Sequence, residues 1–203
     1  MIVIQRDKYI SQLIASKHNG LIKIITGLRR CGKSYLLFKL FKEHLLSEGV
    51  AESHIIQVDL EDRRNKMLRN PDALLEYIDS KITDTQMYYI LLDEVQHVAE
   101  FEDVLNSYLK IENTDVYVTG SNSRFLSTDI ITEFRGRGTQ VHVYPLSFAE
   151  FMSVDDRHPL DAWPDYYTYG GLPHILNIKD EEAKENYLKE LYTKVYLTDI
   201  KDR

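Results

Sequence analysis

Short apolar runs rich in β-branched residues at 21–26, 54–60, 88–92, 115–119 and 139–144 alternate with stretches whose apolar positions recur every three or four residues. The first kind reads as buried strands, the second as amphipathic helices. Tyr9, Ile10, Leu13 and Ile14 fall on one side of a helix over 6–18, which Asn19-Gly20 ends. A second helix opens at Tyr35, runs to about Leu46 and stops near Gly49; a third starts at Asn70-Pro71-Asp72 and buries Leu74, Leu75 and Ile78. A fourth covers 100–111. Strands alternating with helices predict an α/β fold around a parallel sheet.

After residue 146 the pattern changes. Phe148, Phe151, Trp163, Tyr166, Tyr167 and Tyr169 crowd a helical stretch that Gly170-Gly171-Leu172-Pro173 breaks. A last helix then repeats Tyr187, Leu188, Leu191, Tyr192 and Val195. We expect a core domain over 1–146 and a small helical lid over 147–203, with the tyrosine stripe packed as core rather than built as a cofactor box. The last helix carries its apolar side almost to Arg203, which predicts a chain cut from a longer protein.

Between the first strand and the second helix lies Gly27-Leu28-Arg29-Arg30-Cys31-Gly32-Lys33-Ser34, which fits G-x-x-x-x-G-K-[S/T]. A strand before it and a helix after it are the context a phosphate-binding loop requires, and they make a glycine-rich turn with an incidental lysine the weaker reading. Gly27 and Gly32 permit positive φ, so the backbone through Tyr35 can turn N–H groups toward β- and γ-phosphate oxygens at the positive end of the helix dipole. Lys33 then neutralises the terminal phosphates and Ser34 offers a hydroxyl to Mg²⁺. Cys31 reads as a small loop filler.

The run at 88–92 ends in Asp93-Glu94. An acid at a strand tip beside a phosphate loop can hold Mg²⁺ through its water shell, and the next acid can orient and deprotonate an attacking water. Asp93 takes the first role and Glu94 the second. The strand at 115–119 runs into Gly120-Ser121-Asn122-Ser123-Arg124, which is either a helix-capping cluster or a phosphate sensor. Beside two nucleotide motifs we take the sensor reading, open among Thr119, Ser121 and Asn122. Arg135 and Arg137 flank Gly136; they are surface charge or, with Arg137 preferred, a guanidinium offered to the γ-phosphate of a neighbouring subunit in a homo-oligomer. The charge run at 61–66 reads as a solvated loop.

The chain has 203 residues, enough for one α/β domain with an attached subdomain. Its formal net charge of -7 argues against a chain-wide nucleic-acid surface and leaves room only for a local basic patch. A single cysteine rules out an intrachain disulfide and suits a reducing, cytoplasmic setting. No apolar run approaches membrane-spanning length, and the seven histidines show no zinc-ligand spacing.

Taken as a set, Arg6-Asp7-Lys8-Tyr9, the 26–34 loop, Leu92-Asp93-Glu94-Val95-Gln96, Thr119-Gly120-Ser121-Asn122-Ser123, Tyr144-Pro145-Leu146-Ser147-Phe148 with Glu150-Phe151, and Tyr169-Gly170-Gly171-Leu172-Pro173 resemble the bacterial and archaeal AAA-family ATPases. The likeness is to the group whose ATPase domain precedes a C-terminal domain of unknown function with nuclease-like features. It implies a P-loop NTPase, a three-layer α/β/α fold with a five-stranded parallel sheet in the order 5-1-4-3-2 and a small helical lid. It also implies ATP and Mg²⁺ as ligands, Asp93 and Glu94 as the Walker B pair, and the tip from Thr119 to Asn122 as sensor 1. Pro173 resembles the proline of a Gly-x-Pro element that packs near adenine. Two departures are the absence of a C-terminal domain beyond the lid and of a sensor 2 arginine within it.

The leading expectation is an ATPase that drives an attached domain. The alternatives are a nucleotide-gated switch reset by slow hydrolysis, and an initiator-like DNA-associated ATPase using Arg63, Arg64, Lys66 and Arg69 or Arg124, Arg135 and Arg137. A nucleoside kinase shares the loop but has no need of Glu94.

Overall fold

The computed structural model describes residues 3–121, 134, 136–193 and 197. Alternate residues on each strand point to opposite faces of the sheet. Ile24, Ile90, Leu92, Val116 and Val118 therefore meet Leu74, Val104 and Leu105 on one face. Ile25, Leu91 and Tyr117 meet Leu13, Leu36, Leu37 and Phe41 on the other. Two apolar layers around one sheet require strands buried on both sides, and every residue of β1 (Ile22–Thr26) and β3 (Tyr88–Asp93) is buried. With β2 (Ile55–Asp59), β4 (Thr114–Thr119) and β5 (Gly138–His142) they pair in parallel in the order β2-β3-β4-β1-β5. Read from the other edge this is 5-1-4-3-2, the expected P-loop NTPase arrangement.

One charged pair sits inside the sheet. Lys23 on β1 is fully buried and bonds to the Asp115 carboxylate on β4. The other carboxylate oxygen accepts from Tyr117 Oη at 2.9 Å and from the His18 N–H at 3.1 Å. Burial lowers the pKa of the Lys23 ammonium, and the Asp115 carboxylate opposes that shift. The network ties β1 to β4 in the register Lys23↔Tyr117 and Ile25↔Thr119, which places the tip of β4 beside the start of the phosphate loop.

Several elements depart from expectation for identifiable reasons. The first helix spans Asp7–Ala15 rather than 6–18, because His18 turns left-handed (φ 56) and gives its N–H to Asp115. β5 ends at His142 rather than Tyr144. Val143 still bonds Thr26, but β1 has run out of partners and the Tyr144 N–H donates to Tyr9 Oη instead. The charge run expected as a loop winds into a 3₁₀ segment, Arg63–Arg69, capped by the Asp62 side chain on the Arg64 N–H. The helix after the phosphate loop starts at Lys33 and widens into a π-helical turn over Leu36–Phe41 before returning to α form over Lys42–Ser47.

The stretch expected as a lid opens with a helix at Phe148–Met152, where Ser147 and Glu150 form a reciprocal capping box. Pro159–Tyr169, a 3₁₀ turn at Pro173–Asn177 and Glu181–Leu191 follow. Tyr169, Leu172, Ile175 and Leu191 make a small cluster of their own, with Tyr187 and Leu188 against it. The aromatic packing is less complete than expected: Trp163, Tyr167 and Tyr192 are exposed. Tyr166 packs on Phe148 and Phe151, and Trp163 meets Phe148 edge-on while leaving its other side to solvent. Leu146 donates its N–H to the Gly171 carbonyl at 2.7 Å, and a Cβ on Gly171 would sit 2.1 Å from the Leu146 oxygen, so only glycine lets the lid approach the core here. Among the described residues no helix is long and apolar enough to cross a membrane.

Asp115→Ala leaves the Lys23 ammonium buried without its partner and should cost about 3–5 kcal/mol, read as a lower urea midpoint. Replacing both members with Lys23→Met and Asp115→Leu should recover most of that loss.

Candidate nucleotide site

Parallel strands bring their carboxyl ends to one edge of the sheet, and the loops there line the site. Gly27 follows β1 with φ 146, and a Cβ on it would lie 2.1 Å from the Val143 carbonyl oxygen, so the loop can leave the sheet this closely only through glycine. Gly32 (φ 99) is left-handed and opens the helix at Lys33, whose first-turn N–H groups lack intrahelical partners. Lys33 is buried, and its ammonium donates to the Gly27 and Leu28 carbonyls, both at 3.1 Å. Cys31 is a filler: its buried thiol donates to the Val143 carbonyl at 3.4 Å, and burial pushes its pKa up. The Cys31 N–H is spent on the Leu28 carbonyl at 3.3 Å, within the loop itself.

The acidic pair lies beside this loop. Asp93 and Glu94 are 4% and 6% exposed at the tip of β3. Thr119 at the tip of β4 joins them, its Oγ1 donating to Asp93 Oδ1 at 2.5 Å and accepting the Glu94 N–H at 2.9 Å. Ser34, on the phosphate-loop helix, lies near enough to Asp93 to favour its charged form. Burial is the main reason Asp93 rises to about 6; the Thr119 and Ser34 hydroxyls pull it back, and Glu94 and Asp59 push it further up. Glu94 holds a left-handed backbone (φ 52) that non-glycine residues rarely adopt. Its Oε2 accepts from Ser121 Oγ at 2.7 Å and from the Gln96 amide.

A cavity of about 290 Å³ adjoins the loop, lined by Ile4 and Arg6 from the N-terminal segment, Gly32 and Tyr35 from the loop and its helix, and Pro173 and His174 from the C-terminal stretch. Tyr35 Oη is buried without a hydrogen-bond partner among the described residues. A largely apolar cavity, beside a buried lysine and a carboxylate whose charge is penalised by burial, fits a nucleobase, a polyphosphate and a divalent cation in that order. Asp93 and Ser34 are the residues that could hold the cation.

The remaining candidates fall as follows. Leu28 is exposed at the loop crown, Arg29 lies 3.7 Å from Glu61, and Arg30 is left-handed (φ 65) at the cavity edge. Both Thr119 and Ser121 touch the acidic pair, while Asn122 and Arg135 lie outside the described residues. Arg137 precedes β5, at the opposite edge of the sheet from the loop. Its carbonyl accepts the Ile22 N–H and its guanidinium reaches Asn106 at 3.4 Å. A strand of this length spans about 17 Å, so Arg137 does not serve the loop of its own chain. In the basic run, Arg64 pairs with Asp62 and Arg69 with the Leu60 and Glu61 carbonyls.

Sequence reasoning missed four participants. Ile4 and Arg6, the latter at the start of the stretch expected as the first helix, line the cavity. Gln96 holds Glu94, with nothing in the sequence to mark it beyond its place two residues on. On β5, His142 Nδ1 lies 2.9 Å from Thr26 Oγ1, which also accepts from Gln140; burial and then the Lys33 charge lower the His142 pKa. Strand pairing across the sheet, invisible as local pattern, brings these three together.

A family model described as an AAA domain matches residues 19–152, and the chain belongs to that AAA-domain family. Uncharacterized proteins of Haemophilus influenzae and Methanocaldococcus jannaschii are 33% and 30% identical to it over 99% of the chain, which covers 51% and 45% of them. The chain thus spans about half the length of these curated relatives. Among solved structures, Cdc6p of Pyrobaculum aerophilum matches 74% of the chain and 48% of its own length at 13% identity, with a TM-score of 0.50. PCH-2 of C. elegans matches 70% and 41% at 16% identity, also with a TM-score of 0.50. These two likenesses speak to the fold.

In metal-free buffer Asp93→Asn should stabilise the protein by on the order of 2 kcal/mol above about pH 6. The folded pKa is raised, so the native state holds a proton that the unfolded state releases, and wild-type stability falls as pH rises toward 6. The gain should therefore shrink below pH 6 and vanish near the ordinary aspartate value; urea melts across that window check it.

Proposed function

We propose that the chain binds ATP with Mg²⁺ in the 27–35 loop and hydrolyses it, coupling the nucleotide cycle to an attached domain or partner. One observation carries the reading: Thr119 at the tip of β4 gives its hydroxyl to Asp93 and holds the Glu94 N–H, while Ser34, next to Lys33 on the phosphate-loop helix, is near enough to favour the charged form of Asp93. Loop, metal acid and candidate base thus share one place, and membership of the AAA-domain family supports the same reading.

In this reading Lys33 and the loop amides hold the terminal phosphates, while Ser34 and Asp93 hold Mg²⁺. Bound Mg²⁺ would neutralise charge on the phosphate oxygens. Glu94 orients the attacking water and takes its proton; Thr119 fixes the backbone that aims it. Tyr35 and Pro173 border the base, and Arg137 acts on the site of a neighbouring copy.

A slow, switch-like cycle is the second reading, and the grip of Ser121 and Gln96 on Glu94 Oε2 favours it. A base already holding two donors is a weaker acceptor for a water proton until one donor lets go.

Glu94→Gln should keep ATP binding and lower turnover by about 10²–10⁴-fold, measured as phosphate release. Unchanged turnover would remove Glu94 from the base role. Lys33→Ala should abolish ATP binding. Arg137→Ala should leave binding intact and reduce turnover only where copies associate, seen as a loss of concentration dependence in the wild-type rate.

A further inference from the structure

The structure assigns to Arg6, ahead of the first helix, a positioning role at the nucleotide site: it ties the phosphate loop to the lid and so holds the walls of the base cavity together. This rests on the nucleotide reading above. The Arg6 side chain is 4% exposed, a burial that a guanidinium sustains only when its charge and donors are engaged. Nη1 donates to the Cys31 carbonyl in the phosphate loop at 3.2 Å, and Nη2 to the Tyr144 carbonyl beyond β5 at 2.7 Å. Nε lies 2.8 Å from Glu150 Oε1 on the first lid helix, an ion pair off the hydrogen-bond axis. The Tyr9 ring lies beneath the guanidinium, 4.6 Å from its centroid. One planar group thus touches the N-terminal segment, the loop, the end of the core and the lid.

Its partners are themselves held in place. Glu150 Oε2 accepts from the Ser147 N–H at 2.8 Å and from Ser147 Oγ at 3.0 Å, leaving Oε1 for Arg6. A Cβ on Gly32 would lie 3.8 Å from both Arg6 Nη1 and Pro173 Cγ, so the arginine and the lid proline flank the same loop glycine across the cavity. The phosphate loop has anchors besides Arg6, in the Cys31 thiol on Val143 and the Lys33 ammonium on the Gly27 and Leu28 carbonyls. The cavity walls belong to segments distant in sequence that converge on the arginine. Loss of the guanidinium should therefore act on the base end of a nucleotide more than on its phosphate end.

The test compares the affinities of ATP and inorganic tripolyphosphate, both with Mg²⁺, for wild type, Lys33→Ala, Arg6→Ala and Glu150→Gln, each checked by thermal melting. Arg6→Ala should lower the preference for ATP over tripolyphosphate about ten-fold while tripolyphosphate affinity stays within about two-fold. Glu150→Gln, which removes the lid charge but keeps a capping oxygen, should move the ratio the same way by about three-fold. A folded Arg6→Ala protein that keeps the wild-type ratio, or loses both ligands in proportion, overturns the positioning role and leaves the nucleotide reading standing. If Arg6→Ala does not fold, Glu150→Gln decides, and an unchanged ratio overturns the role. Wild type that binds no ATP, or Lys33→Ala that binds it normally, overturns the nucleotide reading and this role with it.

Discussion

Asp93 is a carboxylate held out of water at the end of a strand, and the surrounding arrangement is what makes that tolerable. Burial alone favours its neutral form, and Glu94 and Asp59 add repulsion. Two hydroxyls, from Ser34 and Thr119, offset part of this, and they arrive from separate elements: one from the helix after the phosphate loop, one from the neighbouring strand. The sheet order with β4 between β3 and β1 is what allows both. The remaining excess of negative charge is a standing electrostatic demand for a cation, met in the proposed cycle by the metal that accompanies a triphosphate.

The Leu146 to Gly171 hydrogen bond brings the C-terminal stretch against the end of the sheet domain, and the cavity proposed for the base is lined from both. Arg6 closes that cavity from the N-terminal side and reads the loop and lid together. A ligand filling the cavity and the loop at once would favour one relative placement of lid and core, which is how phosphate chemistry at Asp93 could be felt by whatever the lid carries.

The parts of this architecture written in local pattern were legible. Five apolar runs became five strands, since residues buried on both faces must be apolar almost throughout. Gly27 carried its own reason, because a tight turn against the Val143 carbonyl admits no side chain. The acidic pair was readable from its place after β3. What escaped depends on tertiary pairing. Arg6 looks like the exposed first residue of a helix until the Tyr144 carbonyl beyond β5 and Glu150 close on it. Lys23 interrupts an apolar strand and makes sense only once β4 supplies Asp115. Thr119 and Ser121 could not be told apart by composition, because both are small hydroxyl residues; only the geometry divides them, the first bridging the Asp93 carboxylate and the Glu94 N–H, the second on the Glu94 carboxylate. The expected lid core fell short because the sequence counts aromatic residues but not the surfaces available to cover them.

The most direct test of the account is a crystal structure with Mn²⁺ and a non-hydrolysable ATP analogue, in which the metal is located by its anomalous signal. The account predicts the peak between the Ser34 hydroxyl and the Asp93 carboxylate, with the terminal phosphate against Lys33 and the base in the cavity beside Tyr35 and Pro173. A metal peak away from Asp93, or an analogue bound outside the 27–35 loop, would contradict it.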